Sequence, residues 1–158
     1  MLLIIVRHGE AEPKSSDKPD EQRKLTAAGA ERLRNNLVRA KEIAGPTLDL
    51  ILSSPLVRAR QTAEIASEVF GRASFEIDDS LTPDSTPYEV YRSLSKHSQL
   101  QRVMLVSHNP LVSNLLAGLL SWNERYFSFK TGSIAVIETS NTGATMEGVL
   151  LSLLPSSI

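Results

Sequence analysis

The sequence predicts an α/β fold, a three-layer α/β/α sandwich whose mostly parallel sheet is covered by helices on both faces. Two observations carry that expectation. The runs Leu2-Leu3-Ile4-Ile5-Val6 and Val103-Met104-Leu105-Val106 are continuously apolar, as strands buried on both faces are. The segments between and after the strands space their apolar residues at helical intervals, so strands alternate with helices and imply right-handed crossovers. With 158 residues, a single domain spanning 1–158 is expected, long enough to hold an ordinary core.

The first strand delivers Arg7-His8-Gly9-Glu10 to the carboxyl end of the sheet, the edge where α/β folds place ligands. Arginine suits a phosphate or carboxylate because its planar fork donates two parallel hydrogen bonds. Gly9 lets the backbone turn there and approach closely. Ala11 to Lys24, polar and carrying Ser15-Ser16, Pro13 and Pro19, reads as a long surface loop beside this edge. A helix follows with Thr26 as N-cap, with Ala30, Leu33, Leu37, Ala40 and Ala44 on one face, and Gly45-Pro46 ends it.

A second strand, Leu48 to Leu52, runs into Ser53-Ser54-Pro55, where Ser54 reads as a helix cap and Pro55 as part of the first turn. The helix, about Pro55 to Phe70, turns Ala59, Ala63, Ala66 and Phe70 inward and places Arg58 in its first turn. A weaker strand is expected over Ser74 to Ile77. Thr86-Pro87-Tyr88-Glu89 is a capping-box signature for a helix to about His97. Val103 to Val106 ends in Ser107-His108-Asn109-Pro110, ahead of a very apolar helix with Leu111, Val112, Leu115, Leu116, Leu119 and Leu120. Beyond it, Trp122 and Tyr126 offer either a partner surface or core packing, and core packing is the expected use. Ile134 to Glu138 and Glu147 to Leu153 flank Asn141-Thr142-Gly143, an antiparallel hairpin finishing the sheet.

Composition narrows the chemistry. Hydrophobic content of 41%, charged content of 22% and a formal net charge of −1 describe a soluble globular protein without global attraction to nucleic acid or anionic lipid. Any anion site is therefore local, and neither a nucleic-acid nor a membrane partner is expected. The absence of cysteine removes disulfides, thiolate metal sites and thiol nucleophiles. No two of the three histidines have metal-ligand spacing, so no metal and no cofactor are expected. The five-residue apolar start is too short for a signal peptide or a membrane span, which makes a cytoplasmic location the default. No Walker A loop, dinucleotide fingerprint or nucleophile elbow is present.

Strand-to-helix junctions of a parallel sheet share one edge, so Arg7, His8, Arg58 and His108 can converge although they lie far apart in sequence. Two helix N-termini add partial positive charge there. The expected pocket suits a dianion. His97, between Lys96 and Ser98, reads as a solvated surface residue.

These residues resemble the histidine phosphatase superfamily, also called phosphoglycerate mutase-like, whose Arg-His-Gly signature is matched by Arg7-His8-Gly9. Leu25-Thr26-Ala27-Ala28-Gly29 resembles its Leu-Thr-x-x-Gly helix start. Ser53-Ser54-Pro55-Leu56-Val57-Arg58-Ala59-Arg60-Gln61-Thr62-Ala63 resembles its second phosphate-binding segment, and Val106-Ser107-His108-Asn109-Pro110 its second histidine. The resemblance implies that His8 is a nucleophile that becomes phosphorylated, that Arg7 and Arg58 bind the phosphoryl oxygens and that His108 completes the binding pocket. Attack needs a neutral nitrogen on His8, and Arg7, Arg58 and a cationic His108 are expected to disfavour its protonation.

Larger members of the family carry a helical insertion that covers the pocket. Here about forty residues separate the Arg58 helix from His108, one strand and one helix use most of them, and no large lid is expected. This short form, with Ser80-Leu81-Thr82-Pro83, resembles the SixA-type phosphohistidine phosphatases of bacterial phosphorelays. The resemblance implies a phosphohistidine-bearing partner, either a phosphotransfer domain or a phosphocarrier protein. A phosphomonoester expels an alkoxide and benefits from a general acid, whereas phosphohistidine leaves as a neutral imidazole once protonated. Asp79, Asp84 and Glu10 are the candidate acids and none is assigned. The competing readings are a broad phosphomonoesterase acting on small phosphorylated metabolites and a non-catalytic phosphoprotein-binding module.

Overall fold

The computed structural model describes residues 1–121, 129–140 and 146–156. Six strands form one sheet: β1 (Leu2–Arg7), β2 (Leu50–Ser53), β3 (Phe75–Ile77), β4 (Arg102–Ser107), β5 (Ile134–Ser140) and β6 (Glu147–Leu154). Their order is β3-β2-β4-β1-β5-β6. β1, β4, β2 and β3 run parallel, and β5 and β6 extend the β1 side antiparallel. Expectation and structure therefore agree on a mostly parallel sheet finished by an antiparallel pair. The turn predicted at Asn141-Thr142-Gly143 lies outside the described residues, as do Trp122 and Tyr126.

Alternation along β1 divides the core in two. Leu3 and Ile5 face α3 (Pro87–Leu94) and α4 (Leu111–Leu120), packing with Val90, Leu94, Leu111, Leu115 and Leu116. Ile4 and Val6 face α1 (Ala27–Ala44) and α2 (Val57–Val69), packing with Leu33, Leu37, Ala59 and Ala63. All four β1 side chains are fully buried, and each such aliphatic stabilises the fold by about 1.5–3 kcal/mol relative to exposure. A strand apolar on both faces thus becomes the middle of a three-layer sandwich.

Local chemistry sets the helix ends. Thr26 Oγ1 accepts from the Gly29 backbone N–H at 2.9 Å to start α1, and Gly45, at φ +97°, ends it. The expected capping box of α3 is present: Glu89 Oε2 accepts from the Thr86 N–H at 2.7 Å while Thr86 Oγ1 accepts from the Glu89 N–H. This helix ends at Leu94 and runs on to His97 as a 3-10 turn. Ser54 does not sit at the start of α2, which begins at Val57 after Leu56 and leaves Pro55 outside, but its Oγ keeps a local turn bond, accepting from the Leu56 N–H at 3.4 Å, alongside its bond to His108.

Between α2 and β4 the chain forms only β3, a 3-10 turn at Asp79–Leu81 and α3 with its terminal turn. The large lid is absent, as expected. Among the described residues no helix is long and apolar enough to cross a membrane.

A candidate active site at the carboxyl edge of the sheet

The ends of β1 and β4 are adjacent, with Arg7 opposite Ser107 in the parallel register. The next residue on each strand is a histidine, and the His8 and His108 rings lie 4.9 Å apart between centroids at 53°. Arg58, second residue of α2, reaches the same point: its Nε donates to His8 Nε2 at 3.2 Å. Arg7 points inward as well, its Nη1 donating to the Phe129 carbonyl at 2.8 Å. The four residues picked from the sequence line one pocket of about 320 Å³.

His8 has a defined tautomer. Its Nδ1 lies 2.7 Å from the Gly9 carbonyl oxygen, which can only accept, so Nδ1 carries the proton and Nε2 holds the lone pair. Burial, with a further push from Arg58, Arg7 and Arg23, lowers its pKa from 6.5 to about 3; only the bond to the Gly9 carbonyl opposes. His108 is depressed further, to about 2, by burial first and then by His8, Arg58 and Arg7, with Asp20 opposing. The expectation of a cationic His108 is thereby corrected: at 2% exposure, loss of hydration outweighs any benefit of a second positive ring.

Supporting contacts fix this geometry. Thr62 Oγ1 donates to the Arg58 carbonyl at 2.8 Å and accepts from the Gly9 N–H at 3.1 Å, tying the end of β1 to α2. Ser54 Oγ and His108 Nε2 are hydrogen-bonded at 2.8 Å. Ser107 Oγ donates to the Leu81 carbonyl at 2.7 Å, drawing the Leu81-Thr82-Pro83 segment in so that Pro83 reaches the pocket. Gly29 is required by close approach: a Cβ there would stand 2.3 Å from the Glu10 carbonyl oxygen. That contact seats α1 directly against the residues following His8.

The first loop supplies the part of the site that sequence reasoning missed. It is not structureless: Ala11 bridges Leu25, Ser15 bridges Lys18, and Asp20–Gln22 forms a 3-10 turn. Lys14, Asp20 and Arg23 from this loop line the pocket, along with Asn109 and Thr131. Asp20 Oδ2 accepts from Arg58 Nη2 at 2.9 Å, its backbone carbonyl from Arg58 Nη1 at 2.8 Å, and its Oδ1 from Arg23 Nε at 2.9 Å. Burial alone would raise the Asp20 pKa, but Arg58 and Arg23 outweigh it and hold the carboxyl below its ordinary value. The only sequence signal was the pairing of an acid and a base three residues apart beside the Arg-His-Gly edge.

The candidate acids fare differently. Glu10 lines the pocket but is ion-paired with Arg32. Asp79 and Asp84 are exposed and line no part of it. His97 also lies outside it.

Comparison with known proteins agrees with this arrangement. The sequence model of the histidine phosphatase superfamily (branch 1) matches residues 3–82. A phosphohistidine phosphatase SixA homolog of Haemophilus influenzae is 33% identical over 131 residues, covering 75% of this chain and 77% of that protein. The solved structure of the protein histidine phosphatase SixA complexed with tungstate superposes with a TM-score of 0.83 at 26% identity, over 99% of this chain and 97% of that one. The alpha-ribazole phosphatase of Shigella flexneri, at 23% identity, shares the fold with a TM-score of 0.69 over 96% of each chain. A parallel-sheet edge carrying Arg-His-Gly, a facing second histidine and a helix-borne arginine, in a chain matched to this extent, makes the protein a member of the histidine phosphatase superfamily.

Proposed function

We propose that the protein removes phosphate from phosphohistidine on another protein, through a phospho-His8 intermediate. In the first step His8 Nε2 attacks phosphorus and the substrate P–N bond breaks; the substrate ring, already protonated on its other nitrogen, takes the bonding pair and leaves as neutral imidazole. In the second step water attacks phospho-His8, the new P–N bond breaks, and orthophosphate departs with the imidazole of His8 restored. Arg7 and Arg58 bind the phosphoryl oxygens, and His108 closes the pocket. A phosphoryl oxygen that takes the Arg58 Nε–H releases the His8 Nε2 lone pair for attack.

The observation that carries the substrate class is the state of the carboxylates. Among the described residues, the two that line the pocket, Glu10 and Asp20, are both paired with arginines. An alkoxide leaving group needs a carboxylic acid at hand, whereas a protonated imidazole leaves without one. The lid-free edge supports the same reading, because it admits a side chain presented on a protein surface. The SixA relative is solved in complex with tungstate, an oxyanion, which supports an anion site in this chain.

The test is phosphate release from a histidine-phosphorylated phosphotransfer protein, with wild type and His8→Ala assayed in parallel in EDTA. Release by wild type alone is expected. Equal release from both, or faster turnover of small phosphate esters than of phosphohistidine, overturns the reading.

A further inference from the structure

Arg58 carries five N–H donors, and three of its nitrogens are engaged in a directional way. Nε meets the reacting nitrogen of His8, while Nη1 and Nη2 are both held by Asp20, through its carbonyl and its carboxylate. Asp20 lies 38 residues earlier in the chain, on a 3-10 turn that the fold brings across the mouth of the pocket. Its other carboxylate oxygen holds Arg23 and lies 3.7 Å from Lys14. The side chain of Arg58 is 4% exposed, so this pair is largely withdrawn from water on the arginine side, where a charge-assisted bond orients most strongly.

We propose that Asp20 is a positioning residue: it grips the far side of the Arg58 guanidinium so that Nε stays aimed at the place where His8 and the phosphoryl group exchange a bond. The proposal rests on the phosphatase reading above and assigns Asp20 no proton transfer. The carboxylate also sets a limit on anion affinity, because it brings a negative charge next to the cations that must bind a dianion. Asp20 therefore favours the oriented transition state while opposing the resting complex with phosphate. A residue that merely held the loop together would not separate those two effects.

Asp20→Asn keeps the side-chain volume and one acceptor oxygen but removes the charge. Its kcat on the phosphohistidine protein is expected to fall about tenfold or more, toward the roughly hundredfold loss that a 1 Å misplacement of a reacting group produces. Orthophosphate, titrated by calorimetry, is expected to bind at least as tightly as to wild type. In the Arg58→Lys background, Asp20→Asn is expected to change kcat by less than about twofold, because the group it positions is already gone. The proposal is overturned by an unchanged kcat, by kcat and phosphate affinity falling together, or by the same loss in both backgrounds. The cycle is repeated on the Kd of orthovanadate, which takes the five-coordinate geometry of the transferring phosphoryl group: Asp20→Asn is expected to weaken its binding in the wild-type background and not in Arg58→Lys, and equal weakening in both overturns the proposal. That binding readout stands even if wild type releases no phosphate from phosphohistidine, so the two claims fail separately.

Discussion

Lowering the pH should unfold this protein through its two pocket histidines. His8 is 6% exposed and His108 2%, and burial holds their pKa values at about 3 and about 2 against 6.5 for a free side chain. In the unfolded chain both take up protons as the pH falls through 6.5, whereas in the folded protein neither does until far lower. The unfolded state thus binds more protons, so stability is full above 6.5 and is lost progressively as the pH falls toward the folded values. Going from about pH 7.5 to pH 5, each histidine costs about 2 kcal/mol, and any folded pKa well below 5 gives the same figure. Together they remove about 4 kcal/mol, a large part of the roughly 5–15 kcal/mol of a typical domain. Most carboxylates titrate below this window and contribute little to the difference. Urea unfolding followed by circular dichroism at the two pH values measures it, and His8→Gln or His108→Gln should each reduce the drop by about half. A drop under about 1 kcal/mol, or one that neither substitution reduces, would refute the claim that both rings are buried and neutral.

Three other outcomes follow from single contacts. Gly29→Ala places a methyl against the Glu10 carbonyl and should cost about 1–3 kcal/mol of unfolding free energy in urea, with orthophosphate affinity falling as the chain after His8 shifts. Ser54→Ala removes the partner of His108 Nε2 and should cost about 1–3 kcal/mol in the same assay, more than expected for a hydroxyl lost from a helix cap alone. Arg7→Lys keeps the charge but loses the planar fork, and orthophosphate binding by calorimetry should weaken about tenfold or more.

Much of this site was legible because its main residues follow from sheet topology. An apolar run that ends abruptly in Arg7-His8 and another that ends in His108 fix two strands, and parallel strands place such ends together whatever the intervening sequence does. Arg58 is equally readable, being in the first turn of a helix that follows a third such strand. Asp20 and Arg23 were not readable, because a polar loop with two prolines has no periodicity; Asp20 reaches the site by pairing with Arg58, 38 positions away, and Arg23 by pairing with Asp20. Ser54 was read as a cap since Ser-Pro ahead of an apolar helical pattern is a sound local signal; its hydroxyl does accept the Leu56 N–H, and no local pattern signalled that it also meets His108. The charge on His108 was misjudged for a related reason. Sequence shows which cations are near, but the depth of burial that decides between imidazole and imidazolium exists only in the fold.

Burial is also what joins the stability of this pocket to its chemistry. An exposed histidine near three arginines would still spend part of its time protonated at neutral pH and would then have no lone pair to offer. Withdrawing His8 from water keeps it neutral over the whole physiological range, and the bond from Nδ1 to the Gly9 carbonyl leaves Nε2 as the unprotonated nitrogen, the one that attacks on the proposed reading. The same withdrawal weakens the hydration of Arg7 and Arg58, whose pKa values are lowered mainly by burial, and so makes a bound dianion a better partner than water. Asp20 offsets part of the positive charge around the two neutral rings, and on the proposed reading a phosphoryl dianion would complete that neutralisation as it binds. The instability predicted at low pH and the nucleophilic role proposed for His8 at neutral pH are therefore two consequences of one structural choice, the placement of both histidines beneath the surface of the sheet edge.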